Sequence, residues 1–222
     1  DVNKSPPNIA NNTPALRTQY ANTLLARARA PVVLLSRPGT FGSTGNHRHK
    51  RTLKEFAPIS AAMDVLAQRY GIKRWVVVGH SGGGTAAAAL LTLGRTDLEC
   101  IVVTSGAFDL VERANRYRQS RGLPIRPFTD LTGIVHPYDP LYQLATVKQD
   151  KSRKVILLGN SQDKVTPFEF QKKFADALHA LGHEVRIEEV DARSPNFHDL
   201  TFGSGLKAAN ECLGARTSKS FE

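Results

Sequence analysis

Ser81 lies in the sequence Gly-His-Ser-Gly-Gly at residues 79–83, and its surroundings favour covalent chemistry. Three valines precede this stretch, and an Ala-rich run follows it at residues 85–91. Consecutive valines favour a strand buried on both faces and alanines favour a helix, so the pattern predicts a strand, a sharp turn and a helix. A serine held in a strained conformation at such a turn presents its hydroxyl as a nucleophile, while Gly79 and Gly83 leave room for neighbouring backbone.

Glycine-rich turns between a strand and a helix also bind phosphate groups in other proteins. No lysine follows the glycines of residues 82–84, which disfavours a nucleotide-binding P-loop. The glycine spacing does not fit a dinucleotide site, and no acidic residue closes a second strand about 20 residues further on. We therefore interpret Ser81 as a nucleophile.

A serine hydroxyl becomes a good nucleophile when a histidine takes its proton and a carboxylate orients that histidine. Only His198 follows the last predicted strand, in a loop that returns to the edge of the sheet where Ser81 lies. We therefore predict that His198 is the base. The other six histidines are less suitable. His47 and His49 lie in a basic loop before the elbow, and His80 directly precedes Ser81 and points away from it. His136 lies in residues 110–154, and His179 and His183 lie on or just after a surface helix.

Asp163 is the predicted acid because it follows the strand at residues 154–158 and precedes a helix that Pro167 can open. Asp109 is the competing candidate, since it follows the preceding strand. Asp199 is adjacent to the histidine and cannot easily fold back onto its ring, so we expect it to be solvated. Chain order supports Asp163, because serine, acid and histidine then follow one another as in nucleophile-elbow enzymes.

The negative oxygen of a tetrahedral intermediate needs hydrogen-bond donors. The N–H of Gly82, directly after Ser81, is predicted to supply one. The second donor normally comes from a loop after an earlier strand, often with a His-Gly sequence. The sequence contains no His-Gly pair.

Strands and helices alternate along the chain, which predicts an α/β fold with a mostly parallel sheet and helices on both faces. We expect one domain over residues 1–222. Residues 110–154 lose clear periodicity and are predicted to be a lid-like or substrate-binding insertion. Strands are predicted at 31–36, 75–78, 98–104, 154–158 and 184–190, and helices at 14–29, 52–70, 85–93, 167–181 and 204–213.

The chain carries a formal charge of +10, from 30 basic and 20 acidic residues. Its basic clusters are scattered over predicted loops without a nucleic-acid-binding motif, so we expect a solvated basic surface and no nucleic-acid partner. No apolar run is long enough to span a membrane. The sequence shows no metal-ligand spacing and implies no cofactor.

Cys100 and Cys212 are the only cysteines. They are either two buried thiols or one disulfide, and a disulfide would imply an oxidising compartment. A secreted or periplasmic location is therefore slightly favoured.

Four segments together resemble the α/β-hydrolase superfamily, closest to its prolyl-oligopeptidase-like and dienelactone-hydrolase-like branch. They are Arg-Pro-Gly-Thr-Phe-Gly-Ser at residues 37–43, the elbow at 79–83, Pro-Tyr-Asp-Pro at 137–140, and the turn at 163–167. The resemblance runs from about Pro31 to Leu213. Relatives begin with two or three strands and a His-Gly loop, so we expect that this chain lacks those strands and that residues 1–3 lie just beyond a missing His-Gly.

The resemblance implies a serine hydrolase that cleaves an ester through an acyl-enzyme. A peptidase of prolyl-oligopeptidase type and a non-catalytic binding protein that retains the fold are the alternatives. The expected substrate is a small ester or a short peptide.

Overall fold

Four parallel strands form one sheet in the described part of the chain. The structure is a computed structural model that describes residues 13–214, so our expectation for residues 1–3 lies outside it. Strands consecutive in sequence are neighbours in the sheet. The strands are β1 (Trp75–His80), β2 (Leu98–Thr104), β3 (Lys154–Gly159) and β4 (Glu184–Glu189). The helices are α1 (Pro14–Leu25), α2 (Leu53–Tyr70), α3 (Gly82–Thr92), α4 (Leu110–Ser120), α5 (Phe168–Ala180) and α6 (Ser204–Gly214).

Helices cover both faces of the sheet. Side chains along each strand alternate between the two faces, so neighbouring residues pack against different helices. On β2, Ile101 and Val103 pack with α3 and α5 on one side. Cys100 and Val102 pack with α6 on the other side. The predicted parallel sheet with helices on both faces is therefore confirmed.

β1 lies at an edge of this sheet and pairs with β2 alone among the described strands. Val76 and Val77 are only partly buried, and Val78 is 46% exposed. The prediction of a strand buried on both faces is therefore wrong for β1. Three consecutive valines indicate a preference for a strand, but the neighbouring elements decide how much of it is covered.

Residues 31–36 do not form the predicted strand. No strand among residues 13–214 pairs with this segment, and Val33, Leu34 and Leu35 are exposed. A strand needs a partner for its backbone N–H and C=O groups, and apolar β-branched residues do not supply one by themselves.

Helix α4 occupies part of the segment that shows no clear periodicity in sequence. Its buried residues are Leu110, Arg113, Ala114 and Arg118, which have helical spacing. Two of these four are arginines, so the buried face does not appear as an apolar pattern. The interpretation of residues 110–154 as a lid or substrate-binding insertion stays a prediction.

Three further details differ from the predicted helices. Helix α1 ends at Leu25 instead of near Arg29, and none of its residues is buried. Leu53 in α2 and Leu181 at the end of α5 have the spacing of the apolar helix face in sequence, but they are 53% and 45% exposed. Periodicity identifies the residues that share a helix face, but another element must cover that face before they are buried.

Several arginines are internal, which corrects the expectation that the basic clusters are solvated. Arg153 is 2% exposed and donates hydrogen bonds to the carbonyl oxygens of Leu98, Lys148 and Arg95. Arg118 is also buried and donates to the carbonyls of Thr129 and Asp130. These guanidinium groups tie loops to one another, because their several N–H donors reach carbonyls from different segments.

A disulfide joins Cys100 on β2 to Cys212 on α6. It links residues 112 positions apart, so it also ties the last helix to the sheet. Of the two states that the sequence leaves open, the structure therefore has the bonded one.

Among the described residues, no helix is long and apolar enough to cross a lipid bilayer.

We expect Phe174→Ala to lower the free energy of unfolding by about 3 to 5 kcal/mol. Phe174 is fully buried, and its ring stacks on Phe108 with 4.2 Å between centroids and 9° between planes. The exposed Leu181 follows the same helix, so Leu181→Ala is the control and should change stability by less than about 0.5 kcal/mol. Urea unfolding measures both. Equal losses in the two variants would contradict this assignment of the core.

Candidate active site

Ser81 lies between β1 and α3 in an unusual backbone conformation, with φ 53° and ψ −119°. A non-glycine residue adopts this conformation only where the surrounding structure enforces it. The N–H of Ser81 donates to the carbonyl of Thr104 at 2.9 Å, and the N–H of Thr85 donates to the carbonyl of Ser81 at 3.1 Å. These bonds fix the turn to β2 and to α3. The predicted strand, sharp turn and helix around Ser81 are confirmed.

Two glycines are required at this turn because backbone approaches backbone there. A Cβ atom on Gly79 would collide with the carbonyl of Gly83. A Cβ atom on Gly84 would lie 2.9 Å from a methyl carbon of Val103. Nothing lies within 4 Å of a Cβ atom on Gly83 itself. The required pair is therefore Gly79 and Gly84 instead of the predicted Gly79 and Gly83.

Asp163 and His198 are in direct contact, although 35 residues separate them. Nδ1 of His198 lies 2.9 Å from Oδ2 of Asp163. Asp163 follows β3 and His198 lies in the loop after β4, so both stand at the carboxyl ends of strands, as Ser81 does. A carboxylate on Nδ1 fixes the ring orientation and leaves Nε2 free to accept a proton.

Hydrogen bonds keep the Asp163 carboxyl ionised. Its burial would raise the pKa, but donors from His198, Thr166 and the N–H of Val165 outweigh burial and lower the pKa below its usual 3.8. Oδ1 accepts the N–H groups of Val165 and Thr166 at 2.7 and 2.9 Å. The Thr166 hydroxyl lies 2.8 Å from Oδ2. The acid is therefore held as an anion whose position is fixed from several sides.

The loops that carry Asp163 and His198 are tied to each other and to the sheet. The N–H of Lys164 donates to the carbonyl of Asn196 at 2.9 Å, which joins the two loops. The Ser105 hydroxyl donates to the carbonyl of His198 at 2.7 Å. Both side chains therefore lie on backbone that is anchored close to them.

Arg113 holds the Asp163 loop from the side of α4. Its Nε and Nη2 groups both donate to the carbonyl of Val165. Burial and the charge of Arg51 lower the pKa of Arg113 to about 10, and the group remains cationic at neutral pH. No local sequence pattern predicts this contact, because an arginine in a polar helix is usually solvated.

His80 lies beside His198, with 5.0 Å between the ring centroids. Its Nδ1 is 3.0 Å from the Thr104 hydroxyl, and its Nε2 is 3.5 Å from Asp199. Partial burial, followed by the charge of His198, lowers the pKa of His80. The sequence did not predict this contact. This ring contact places His198 against the residue that directly precedes Ser81.

Asp109, the competing acid, is engaged elsewhere. It accepts hydrogen bonds from the Tyr142 hydroxyl at 2.7 Å and from Lys173 Nζ at 2.5 Å. Asp139, from the Tyr-Asp-Pro segment, accepts the N–H of Leu110 at 2.6 Å, and burial raises its pKa to about 6. Asp109 therefore links residues 110–154 to α5, and Asp139 joins two parts of that segment to each other.

Gly82 begins α3, and its N–H is the predicted oxyanion donor. A Cβ atom on Gly82 would lie 2.5 Å from Nη1 of Arg37, so the guanidinium stands directly against this residue. Arg37 comes from the Arg-Pro-Gly segment before α2. Its approach to the elbow depends on the path of residues 37–43, which no local sequence pattern predicts.

Two cavities of about 660 and 650 Å³ open on the surface of the fold, and neither contains Ser81, Asp163 or His198. The first is lined by α6 and residues 201–203, and the second by residues 48–54 and 134–138. Neither cavity is therefore assigned to the candidate catalytic residues.

Among residues 13–214, no cluster of three His, Cys, Asp or Glu side chains is arranged to hold a metal ion.

The sheet and the elbow define a protein of the α/β-hydrolase fold. A model of the prolyl oligopeptidase family matches residues 40–191, which is more than half of the chain. The chain belongs to the prolyl oligopeptidase family.

Solved structures share this fold at low sequence identity. The acylaminoacyl peptidase of Pyrococcus horikoshii matches with 17% identity and a TM-score of 0.53, over 77% of this chain and 28% of that chain. Est1E from Butyrivibrio proteoclasticus matches with 16% identity and a TM-score of 0.55, over 78% of this chain and 73% of that chain. An esterase of Pyrococcus furiosus matches with 18% identity and a TM-score of 0.51, over 73% of this chain and 61% of that chain.

The chain therefore spans less than a third of the length of the Pyrococcus horikoshii peptidase. No curated protein matches the chain in sequence.

We expect Asp163→Asn to lower the free energy of unfolding by about 1.5 to 3 kcal/mol at pH 7, because charged hydrogen bonds are lost. The pKa of Asp163 is lower in the folded chain, so its ionised form stabilises the fold at neutral pH. That stabilisation is lost as pH falls from 3.8 through the lower folded value. The difference between the variant and the wild type should therefore shrink in acid.

Urea unfolding at pH 7, 4 and 3 measures this change. Asp176→Asn is the control, because it makes the same substitution at an exposed position on α5. A stability difference for Asp163→Asn that stays constant from pH 7 to pH 3 would show that its carboxylate is not stabilised by the fold.

Proposed function

We propose that this protein is a serine hydrolase that cleaves a small ester through an acyl-enzyme intermediate. The observation that carries the proposal is the 2.9 Å contact between His198 and Asp163 at the elbow of Ser81. Chain order and the strained conformation of Ser81 add support, because a nucleophile elbow needs both.

In the proposed reaction, Ser81 Oγ attacks the carbonyl carbon of the ester while Nε2 of His198 takes the hydroxyl proton. Asp163 stabilises the imidazolium through Nδ1–H, and the N–H of Gly82 donates to the oxyanion. The intermediate collapses as the C–O bond to the leaving group breaks, and His198 gives its proton to the departing alcohol. A water molecule then attacks the acyl-enzyme by the same route and regenerates Ser81.

An ester is favoured over a peptide because of what each leaving group requires. An amine leaves only when it is protonated, and an amide carbonyl is less reactive than an ester carbonyl. Amide cleavage is therefore the more demanding of the two reactions. A peptidase of prolyl-oligopeptidase type is the second candidate, supported by the match to that family over residues 40–191.

We expect Ser81→Ala to reduce kcat for a short p-nitrophenyl ester by roughly 10⁴- to 10⁶-fold, because the nucleophile is lost. Ser120→Ala is the matched control, since Ser120 is exposed at the end of α4. A fluorophosphonate probe should label the wild type and the control, with the label on Ser81. An active wild type with an equally active Ser81→Ala variant would refute the assignment. A protein that neither reacts with the probe nor hydrolyses esters would be the non-catalytic alternative.

Ester preference is tested with pairs of substrates that share one acyl group. We expect hydrolysis of short acyl p-nitrophenyl esters and no measurable cleavage of the matched p-nitroanilides or of Pro- and Ala-containing peptide anilides. The physical reason is the poorer leaving group of the amide. Peptide anilide cleavage with a kcat/KM comparable to that of the ester would replace the esterase by the peptidase. The Ser81→Ala variant controls for background hydrolysis in each assay.

A further inference from the structure

The guanidinium of Arg37 is fixed beside the elbow by a buried carboxylate. Its Nε and Nη2 groups both lie 2.5 Å from Oε1 of Glu55. Glu55 is 2% exposed, and its other oxygen accepts the N–H of Arg51 at 2.6 Å. The carbonyl of Arg37 accepts hydrogen bonds from Thr40 and Ser43. Both the backbone and the side chain of Arg37 are therefore held in place.

This arrangement leaves one nitrogen of the guanidinium available. None of the residues in the described range 13–214 accepts a hydrogen bond from Nη1 of Arg37. Nη1 is also the atom that stands against Gly82, 2.5 Å from where a Cβ atom would lie. The Arg37 side chain is 22% exposed, so a substrate can reach it. A charged donor with no protein acceptor therefore adjoins the residue that follows Ser81.

We propose that Nη1 of Arg37 is a side-chain donor to the oxyanion, acting together with the N–H of Gly82. This inference rests on the proposed function of Ser81. The substrate carbonyl is neutral and becomes a full anion in the tetrahedral intermediate, so a fixed guanidinium stabilises the intermediate more than the substrate. Arg37 is thus a catalytic residue whose effect falls on kcat more than on KM.

Gly82 is required in this arrangement for a reason separate from backbone strain. Its φ is not positive, so alanine is compatible with its backbone at the first position of α3. A methyl group there would clash with Nη1, because a Cβ atom on residue 82 lies 2.5 Å from it. Gly82→Ala should therefore displace Nη1 from the oxyanion position, against the restraint of Glu55, while the N–H of residue 82 stays intact.

The first test is the double variant Arg37→Met with Glu55→Gln, which removes Nη1 without leaving an unpaired buried charge. We expect kcat for a p-nitrophenyl ester to fall about 10²- to 10³-fold, with KM changed by less than about threefold. The rate of fluorophosphonate labelling should fall in parallel, because the phosphoryl oxygen occupies the oxyanion position. Arg48→Met is the matched control, since it removes the same charge from an exposed position in the same segment. Circular dichroism and thermal unfolding check that each variant folds.

Gly82→Ala is the second test and decides the matter if the double variant does not fold. We expect Gly82→Ala to lower kcat when Arg37 is present. In a separate Arg37→Gly variant, millimolar methylguanidine should restore part of the lost kcat, and these two results support the inference. Folded variants that label and turn over as fast as Arg48→Met overturn it and leave the proposed function intact. A wild type that is not labelled at Ser81 removes the proposed function, and this inference with it.

Discussion

The close approach of two backbone segments at the elbow is the constraint on which the site depends. Gly79 at the end of β1 touches the carbonyl of Gly83 in the first turn of α3, and no side chain fits between them. This approach forces Ser81 into its positive-φ conformation at the carboxyl edge of the sheet. The buried alanines of α3 extend the same principle, because small side chains let the helix lie close to β1 and β2.

Polar contacts between loops position the other two candidate residues. Asp163 and His198 meet because β3 and β4 are parallel neighbours whose carboxyl ends lie at the same edge. The bond between Lys164 and Asn196, together with the Arg113 guanidinium on Val165, then holds their loops in register. The sheet thus gives the approximate placement, and charged hydrogen bonds fix the remaining distance.

Buried arginines are the main physical feature of this chain that composition does not reveal. Arg113, Arg118 and Arg153 each donate to backbone carbonyls in loops, where apolar side chains would leave those carbonyls unpaired. Part of the basic excess therefore stabilises irregular segments instead of attracting an anionic partner. Arg37 differs from these three, because its guanidinium is held by the carboxylate of Glu55 and one of its nitrogens stands against Gly82.

Local sequence patterns were enough to predict the alternating fold, the elbow around Ser81 and the chain order of Asp163 and His198, because propensity, periodicity and chain order can be read without long-range contacts. What covers each element was set by the tertiary structure. Within residues 13–214, it placed β1 at an edge, left residues 31–36 without a strand partner and buried arginines on α4. It also chose the disulfide over free thiols and brought His80 and Arg37 to the site. These outcomes depend on contacts between residues distant in sequence, which no local pattern encodes.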